Sequence, residues 1–399
     1  MGVVGISDVT YALHKIIMPY IRDNFPSATI LLDQIKKNGD VTVMNNYFYA
    51  GVRTSRHAGI VALASDKGKL VSGGSTGAQA YVPVKSLTGT FDISKLVLDV
   101  SKNVKGAVVN QLTEQSESLT SDFAKDLNRQ LHGDGTGEIA RADGAGSSST
   151  SLTVQNPFQD AVNGDIKPTK YLAVGMQIKI GSNSAVGITA INTSTNVVTI
   201  DSAQTWSDED SIVKADGDGN AVAEIMGLRG AIDDDTTYAG LTRASTPQWT
   251  GVLDEDVEAL TISDLEDVYL EAREFGRLKD RYAIFMNKTP YKTYGNLLTD
   301  MKRVAQEKEL LGGWTGLEFS AGAGKVGVFL DYDTPDGDVG IYNLDSMIRC
   351  EVGDVDWVDD PKSGLVRRSD YLTYQAVMAY FANLLVVAPG ANGRMSGKS

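Results

Sequence analysis

The sequence predicts an α+β protein that is built around one long helix and carries a β-rich insertion. Three observations predict this class. Apolar residues recur at steps of four or seven between residues 94 and 132, as on one face of a helix. Short stretches of alternating apolar and polar residues follow between residues 152 and 215. Helical and strand patterns then alternate over residues 260–345. The length of 399 residues suffices for two or three domains.

Composition excludes several classes of protein. One cysteine and three histidines leave no disulfide framework and little material for a metal site. The net charge of −14 argues against tight binding of nucleic acid through its phosphates. No apolar run reaches the ~18 residues of a membrane span, and the first residues lack the pattern of a secretory signal. We therefore expect a soluble protein from a reducing compartment, with no metal, no cofactor and no contact with a membrane.

The charge is unevenly distributed. Residues 1–105 carry a net charge of +5 and the remainder carries −19, of which −11 falls in residues 201–260. Solvated loops are one interpretation. The other is complementarity between copies, in which the basic arm of one subunit lies on the acidic body of another.

The N-terminal quarter is predicted to depend on other surfaces. Residues 1–45 hold too little apolar sequence for a core of their own and are predicted to form an arm. Residues 46–92 resemble a long hairpin, with strand formers at Tyr47–Tyr49 and Ala80–Val84 and with Pro83 at an edge position. Because an isolated hairpin is unstable in water, it must pack on something, unless it is a mobile surface loop.

The long helix and the segment after it follow from periodicity. About 28 residues at ~1.5 Å each give a rod on the order of 40 Å, which Gly133 and Gly135 end. Residues 133–151 are predicted to be a linker. Residues 152–215 are predicted to form four to six short strands in a small barrel or meander, with a turn at 192–196.

Helices and strands alternate in the last third. A capping box at Ser263 and Glu266 predicts the start of one helix, and Thr289 is predicted to cap the next. Residues 346–399 are predicted to form mainly strands, and the Gly/Ser-rich tail from Gly390 to Ser399 is expected to be frayed.

Two motifs suggest chemistry but are incomplete. Gly322–Lys325 lacks the first glycine of a phosphate-binding loop, because that position is Phe319, and Val326 replaces the Ser/Thr that would hold Mg²⁺; a hairpin turn is predicted instead. Asp216–Asn220 resembles the opening of a calcium loop, yet the sixth position is Ala221 and the twelfth is Gly227.

No catalytic constellation is visible either. Cys350 lies in a strand-like context and is predicted to be a buried structural thiol. The three histidines belong to the arm, the hairpin and the end of the long helix, and we predict no catalytic residues.

The order of these elements, together with several local stretches, resembles the major capsid protein of tailed double-stranded-DNA bacteriophages, which has the Hong Kong 97-type capsid fold. The resemblance covers nearly the whole chain. The stretches that carry it are Leu127–Gly137, Gly227–Ile232, Thr237–Leu241, Pro247–Trp249, Gly312–Phe319 and Ile341–Leu344.

The resemblance implies a division of the chain. It gives an N-terminal arm (1–45), an extended loop (46–92), a peripheral domain with the spine helix (93–151), a β-rich insertion and return (152–228), a peripheral-domain connection (229–257), an axial domain (258–345), and C-terminal peripheral strands with the tail (346–399). The extended loop would reach over a neighbouring subunit. Its candidate contact residues are Arg53, Arg56, Lys67, Lys69 and Tyr81.

The resemblance also implies a structural role without catalysis. The subunit would form hexamers and pentamers of an icosahedral head shell around the double-stranded DNA genome, without sequence-specific binding, in a virion assembled in the host bacterial cytoplasm. A separate scaffold, a portal and decoration proteins are the expected partners. Some relatives crosslink a loop lysine to a neighbour's asparagine, but no asparagine or glutamate here matches that pattern beside Lys67 or Lys69.

Three alternatives remain open at this stage. An encapsulin-like compartment would have the same fold around an enzyme cargo. A β-rich decoration protein or adhesin, and an α/β ligand-binding enzyme that uses residues 258–345, are the others.

Overall fold

The structure is a computed structural model. It describes residues 30–37, 41–55, 57–62, 68–70, 72–95, 105–158, 164–277, 279–300, 308–309, 315–321, 324–358, 366–367 and 372–399.

The first half of the chain contains the long helix and most of the short strands. In order, the elements are α1 (Ile30–Gln34), β1 (Lys36–Lys37), β2 (Val41–Met44), β3 (Tyr47–Arg53), β4 (Gly77–Pro83), β5 (Lys85–Ser94), α2 (Lys105–His132), β6 (Glu138–Ala142), β7 (Gly146–Gln155), β8 (Gln177–Ile180), β9 (Val186–Asn192), β10 (Val197–Trp206) and β11 (Ser211–Lys214).

The second half alternates helices with longer strands. In order, the elements are α3 (Leu228–Ala231), β12 (Thr237–Tyr238), β13 (Leu241–Thr242), β14 (Val252–Asp254), α4 (Ile262–Phe275), β15 (Tyr282–Met286), α5 (Lys288–Asp300), β16 (Lys308–Glu309), β17 (Thr315–Ala321), β18 (Gly324–Leu330), β19 (Val339–Asn343), β20 (Met347–Glu351), β21 (Asp356–Trp357), β22 (Val366–Arg367), β23 (Thr373–Val386) and β24 (Gly393–Met395).

One sheet is organised around the 14-residue strand β23, with which β5, β20, β21 and β22 pair, while β1 pairs with β20. The helix α2 packs on this sheet through an apolar stripe that includes Phe123, Leu127 and Leu131. The ring of Phe123 lies 6.5 Å from that of Tyr380 in an edge-on arrangement. The periodicity of the long helix is thus explained by one buried face.

The second sheet has the strand order β14-β24-β19-β15-β18-β17-β16. Its central strand β15 is buried along its whole length because both faces are covered. Ala283 and Phe285 join the core shared with α2 and β23, whereas Ile284 and Met286 join a second core beneath α4 and α5. An unbroken apolar run is the expected sequence of such a strand.

The predicted insertion is a closed six-stranded barrel with the strand order β10-β7-β6-β11-β8-β9. The barrel begins at Glu138, so the prediction of a linker over residues 133–151 was wrong: β6 and the start of β7 lie there. Of the glycines and serines that suggested a linker, only Gly144 lies in the turn between these strands, with φ +82°, whereas Gly146 and the three serines after it belong to β7 itself.

The expectation of a frayed tail was also wrong. Strand β24 lies between β14 and β19, and Lys398 is fully buried. Small residues here permit close packing rather than disorder, because a methyl group on Gly393 would overlap the side chain of Val268.

Both predicted helix caps are displaced. Helix α4 has its capping box at Thr261 and Asp264, two residues before the predicted pair. Helix α5 begins at Lys288, so Thr289 lies inside its first turn, where its backbone amide donates to Asp165 Oδ2 at 2.6 Å. The cap therefore comes from a distant segment that no local pattern reveals.

Other local predictions were confirmed. Strands β17 and β18 pair antiparallel up to Ala321 and Gly324, which is the hairpin predicted in place of a phosphate-binding loop. The long helix ends at His132, and Asp216 accepts bonds from the amides of Asp218 and Asn220 in a tight turn. The predicted arm lies outside the described residues up to residue 29, but Leu31, Leu32 and Ile35 are buried in the subunit's own core.

Candidate assembly surface

The extended loop is rooted in a three-stranded sheet, β2-β3-β4, whose two faces differ. One face carries Phe48, Ala50, Val52, Ala80 and Val82, all buried in the core shared with β23. The strict alternation of β3 and β4 produces this face. The hairpin base therefore packs on its own subunit, which the sequence did not reveal.

The other face carries a cluster of tyrosine rings. Tyr81 lies opposite Tyr49 in the register, with ring centroids 5.8 Å apart, and meets Tyr47 edge-on at 5.4 Å. Tyr47 and Tyr81 are 36% and 40% exposed. Such rings present a large apolar body with a polar tip, which suits a surface that is half wet and half covered.

A second hairpin, β12–β13, holds the edge strand β4 in place. The amide of Tyr81 donates to the carbonyl of Ala239 at 3.0 Å. Ala239 and Gly240 form the turn with φ +48° and +77°, and the ring of Tyr81 covers Gly240 so closely that a methyl group there would overlap it. We call Tyr238, Gly240, Arg243 and Trp249 the root clamp.

The root clamp ties the loop to the centre of the subunit. Trp249 Nε1 donates to the carbonyl of Tyr238 at 2.9 Å, and the hydroxyl of Tyr238 accepts from the amide of Val386 at 3.0 Å. Burial raises the pKa of Tyr238 well above its ordinary value, so this hydroxyl stays neutral. The loop root is thus connected to strand β23 through two side chains.

Arg243 supplies the remaining bonds of the root clamp. Its guanidinium donates to the carbonyls of Gly230, Ala231 and Trp249 at 2.8–3.3 Å. Burial lowers the pKa of Arg243, while Asp233 opposes this effect. The bonds to backbone carbonyls fix the chain between α3 and β14, from which Gln248 donates a hydrogen bond to the carbonyl of Arg53.

Beyond its root, the loop exposes apolar side chains. Ile60, Val61 and Leu70, which we call the apolar tip, are 84%, 53% and 80% exposed. Hydrogen bonds close the neck of the loop: the amide of Thr76 donates to Ser55 Oγ at 2.9 Å. Adjacent exposed apolar groups on a held loop are characteristic of a surface that another molecule covers.

The five candidate contact residues fall in different places. Arg53 is exposed, and its Nε donates to the carbonyl of Ser55 at 2.8 Å. Tyr81 belongs to the tyrosine cluster and the root clamp holds it, while Lys69 is exposed near the loop tip. Arg56 and Lys67 lie outside the described residues. Their role in contacts between subunits stays a prediction.

Sequence reasoning missed the apolar loop tip and the root clamp. Ile60 and Val61 stand in a short apolar stretch of the predicted hairpin, and nothing in the sequence marks that stretch as exposed. The stretches around Tyr238 and Trp249 carry part of the resemblance to capsid proteins, which does not indicate the contacts that these residues make. The only local signal is Gly240, since glycine favours positive φ, whereas Ala239 at φ +48° gives none.

Two groups with potential chemistry in the described residues are buried or paired: the thiol of Cys350 and a cluster of three carboxylates. Burial raises the pKa of the Cys350 thiol to about 12, so the prediction of a buried structural thiol was right. Asp254, Asp256 and Glu258 bring three carboxylates together. The ammonium of Lys398 lies among them, 3.0 Å from Asp254 Oδ2 and 2.9 Å from Glu258 Oε1. None of the helices in the described residues has the length and apolar character to cross a membrane.

Comparisons with known proteins place this architecture. Neither a family model nor a curated protein sequence matches the chain. The capsid asymmetric unit of cyanophage A-1(L) is similar over 92% of this chain and 90% of its own, at 12% identity and a TM-score of 0.53. The capsid of a native GTA particle (11% identity, 92% and 90% covered, TM-score 0.44) and the holo-SrpI encapsulin of Synechococcus elongatus (8%, 100% and 97%, 0.44) are also similar. The chain has the Hong Kong 97-type capsid fold.

Proposed function

We propose that this chain is the major capsid protein of a tailed bacteriophage, which self-assembles into the icosahedral head shell around the double-stranded DNA genome. The observation that carries the proposal is the extended loop, whose root the subunit clamps while its apolar tip stays exposed. In an isolated subunit, exposure of these apolar side chains to water is unfavourable. A neighbouring copy that covers the tip would remove this exposure.

The charge distribution supports contact between copies. The first 105 residues, which include the loop, carry +5, whereas the remainder carries −19. Opposite net charges on the reaching part and the body favour association of identical subunits and guide its orientation. Rings of five or six copies require such a head-to-tail surface pair.

In this proposal the subunit forms hexamers and pentamers, and its partners are a separate scaffold, a portal and decoration proteins. The assembled shell is part of the virion. The contact residues Arg53, Arg56, Lys67, Lys69 and Tyr81 belong to the proposal as well. The −14 net charge agrees with a wall that contains DNA without binding it tightly.

Electron microscopy of the expressed protein, with and without its scaffold, tests the proposal. Closed hollow shells with hexameric and pentameric capsomers are expected. A chain that stays monomeric at high concentration in both conditions would refute the proposal. An encapsulin-like compartment would instead form particles that enclose an enzyme from the producing cell. Such particles would package no DNA during a phage infection.

A further inference from the structure

The barrel formed by β6–β11, the insertion barrel, has an apolar core of its own. Every strand of the barrel contributes buried apolar residues to it, and all of these residues lie between positions 139 and 212. The chain enters on β6 and leaves on β11, which pair with each other at Ala140 and Ile212. A closed barrel whose two connections are neighbours needs no other part of the subunit to complete its fold.

Polar contacts join the insertion barrel to the rest of the subunit. Lys170 Nζ lies 2.6 Å from Asp333 Oδ1, and the Tyr171 hydroxyl donates to the same oxygen at 3.2 Å. Asp336 Oδ2 accepts from the amides of Gly164 and Asp165 at 2.5 and 3.2 Å. Both acceptors belong to the segment Asp331–Asp338, which we call the aspartate loop.

The same aspartate loop holds the end of the long helix. Asp331 Oδ1 accepts from Asn128 Nδ2 at 3.1 Å, and Asp331 Oδ2 pairs with His132 Nε2 at 3.1 Å. Asp333 Oδ2 also accepts from Asn128, at 2.9 Å. One carboxylate, Asp333, therefore bonds the helix with one oxygen and the barrel with the other.

The position of the aspartate loop connects three bodies. It joins β18 to β19, the two strands that flank β15 at the centre of the seven-stranded sheet. A shift between that sheet and the long helix changes the geometry at Asp331 and Asp333. Since Asp333 and Asp336 also hold the barrel, the barrel must follow the shift or lose its contacts.

We infer that the insertion barrel is a separately folded module and that three aspartates form a latch that fixes its orientation: Asp333 and Asp336 of the aspartate loop, and Asp165, which accepts from the amide and hydroxyl of Thr289 in α5. In the structure, Lys214 Nζ at the connection after β11 lies 2.6 Å from Asp126 Oδ1 of α2. When the latch opens, the barrel turns as a rigid body about its two connections. Its orientation thereby reports the relative position of the sheet and the long helix. The inference concerns one subunit and does not depend on the proposed function.

The test uses the full chain with spin labels at two exposed positions, Ser194→Cys on the barrel and Glu274→Cys on α4. The distance distribution between the labels is measured in the otherwise unaltered chain and in the latch variant Asp165→Ala/Asp333→Ala/Asp336→Ala, because an asparagine would still accept hydrogen bonds through its side-chain oxygen. A narrow distribution is expected for the unaltered chain and a distribution at least twice as wide for the variant. Asp122→Asn/Asp218→Asn removes two exposed carboxylates outside the latch and should keep the narrow distribution.

Hydrogen exchange distinguishes a turning barrel from a melting one. Amides of the barrel strands should keep their protection in the latch variant, because their core is untouched. Loss of protection throughout the barrel, or an unchanged label distance, would overturn the inference. If the latch variant does not fold, Asp165→Ala/Lys170→Met/Tyr171→Phe/Asp336→Ala opens the same barrel contacts while Asp333 keeps its bond to Asn128; widening there supports the latch, and a narrow distribution refutes it.

Discussion

The ring of Tyr81 covers the backbone of Gly240, in a turn where Ala239 and Gly240 both have positive φ. This contact joins residues far apart in sequence and fixes the edge of the extended loop to its own subunit. The amide of Tyr81 reinforces the contact through its bond to the carbonyl of Ala239. A loop that must present its tip to another molecule gains from such a rigid root, because less order has to be created on binding.

The first prediction concerns this contact. Gly240→Ala should destabilise the subunit by about 3 kcal/mol, of which ~1–2 kcal/mol arises from a side chain at positive φ and the remainder from overlap with Tyr81. The free energy of unfolding in urea measures the change. A second readout is hydrogen exchange at the amide of Tyr81, which should lose protection first.

A matched glycine isolates the overlap. Gly144 has φ +82° with open space around its Cα, so Gly144→Ala should show the backbone penalty alone. In a Tyr81→Ala background, Gly240→Ala should cost no more than Gly144→Ala does. Equal costs for Gly240→Ala with and without the Tyr81 ring would contradict the packing argument.

The hairpin strands were predictable because their signal is local. Tyr47–Tyr49 and Ala80–Val84 alternate in a way that only a strand with one buried face requires. The root clamp was not predictable, because it depends on Tyr81 meeting Gly240 and on Tyr238 meeting Val386. No pattern within one segment records such long-range pairings.

The errors in the last third have similar causes. Thr261 and Ser263 are each followed three residues later by an acid, so the local rule allows two capping boxes, and tertiary packing selects the first. The composition of the tail resembles that of a frayed terminus, yet Lys398 is buried beside Asp254 and Glu258. Composition describes the average behaviour of such tails and cannot anticipate a strand that enters a sheet.

The second prediction concerns the apolar tip. Ile60→Ser/Leu70→Ser should change the free energy of unfolding by less than about 0.5 kcal/mol, since both side chains are exposed. The same variant should reduce the yield of shells at least tenfold, because it removes the apolar surface that a neighbour would cover. Sedimentation velocity and electron microscopy measure the yield.

An exposed apolar residue away from the loop provides the control. Val174 on the insertion barrel is 64% exposed, and Val174→Ser should leave the yield of shells unchanged. Normal shells from the tip variant would remove the loop tip from the proposed assembly surface.

The third prediction concerns the loop charges. Arg56→Gln/Lys67→Gln/Lys69→Gln should slow assembly and weaken its dependence on salt, because the loop then carries less positive charge toward an acidic neighbour. For the unaltered chain, raising the ionic strength from 0.05 to 0.5 M should slow assembly, since screening shortens electrostatic range to a few ångströms. Light scattering measures the rates.

A charge-matched variant on other surfaces controls for net charge. Lys125→Gln/Lys279→Gln/Lys292→Gln removes three exposed positive charges outside the loop. It should keep the salt dependence of the unaltered chain. If both variants lose that dependence equally, overall charge rather than the loop governs association.

The fourth prediction concerns Lys398. Burial alone would lower the pKa of this ammonium, but hydrogen bonds to Glu258 and Asp254 outweigh burial and raise it. Its contribution to stability is therefore fully present below its ordinary pKa of 10.5 and is lost only as the pH rises through the raised value. At neutral pH, Lys398→Met should cost about 2 kcal/mol in urea unfolding, because charged hydrogen bonds to Asp254 and Glu258 are lost while both carboxylates remain accessible to water.

An exposed ion pair calibrates that value. Lys325 is 67% exposed and lies 3.1 Å from Glu318, so Lys325→Met should cost less than about 1 kcal/mol. Equal costs for the two variants would show that the buried ammonium contributes no more than a surface charge.

The fifth prediction concerns Asp331, the carboxylate between the aspartate loop and the long helix. Burial alone would raise its pKa, but the imidazole of His132 and hydrogen bonds from the Asp333 amide and Asn128 hold the pKa below 3.8. A lowered pKa in the folded state contributes stability above the ordinary value, and this contribution is lost as the pH falls through the lowered one. Asp331→Asn should therefore cost about 2 kcal/mol at pH 7, since Asn128 and the Asp333 amide lose a charged hydrogen-bond acceptor in a buried site.

The pH dependence makes this prediction specific. The difference in the free energy of unfolding between Asp331→Asn and the unaltered chain should shrink as the pH falls below about pH 4. Asp122 is 74% exposed on the same helix and lies 3.7 Å from Lys125, so Asp122→Asn should change stability by less than about 0.5 kcal/mol throughout. A deficit for Asp331→Asn that does not shrink as the pH falls below about 4 would mean that shape rather than charge determines the role of Asp331.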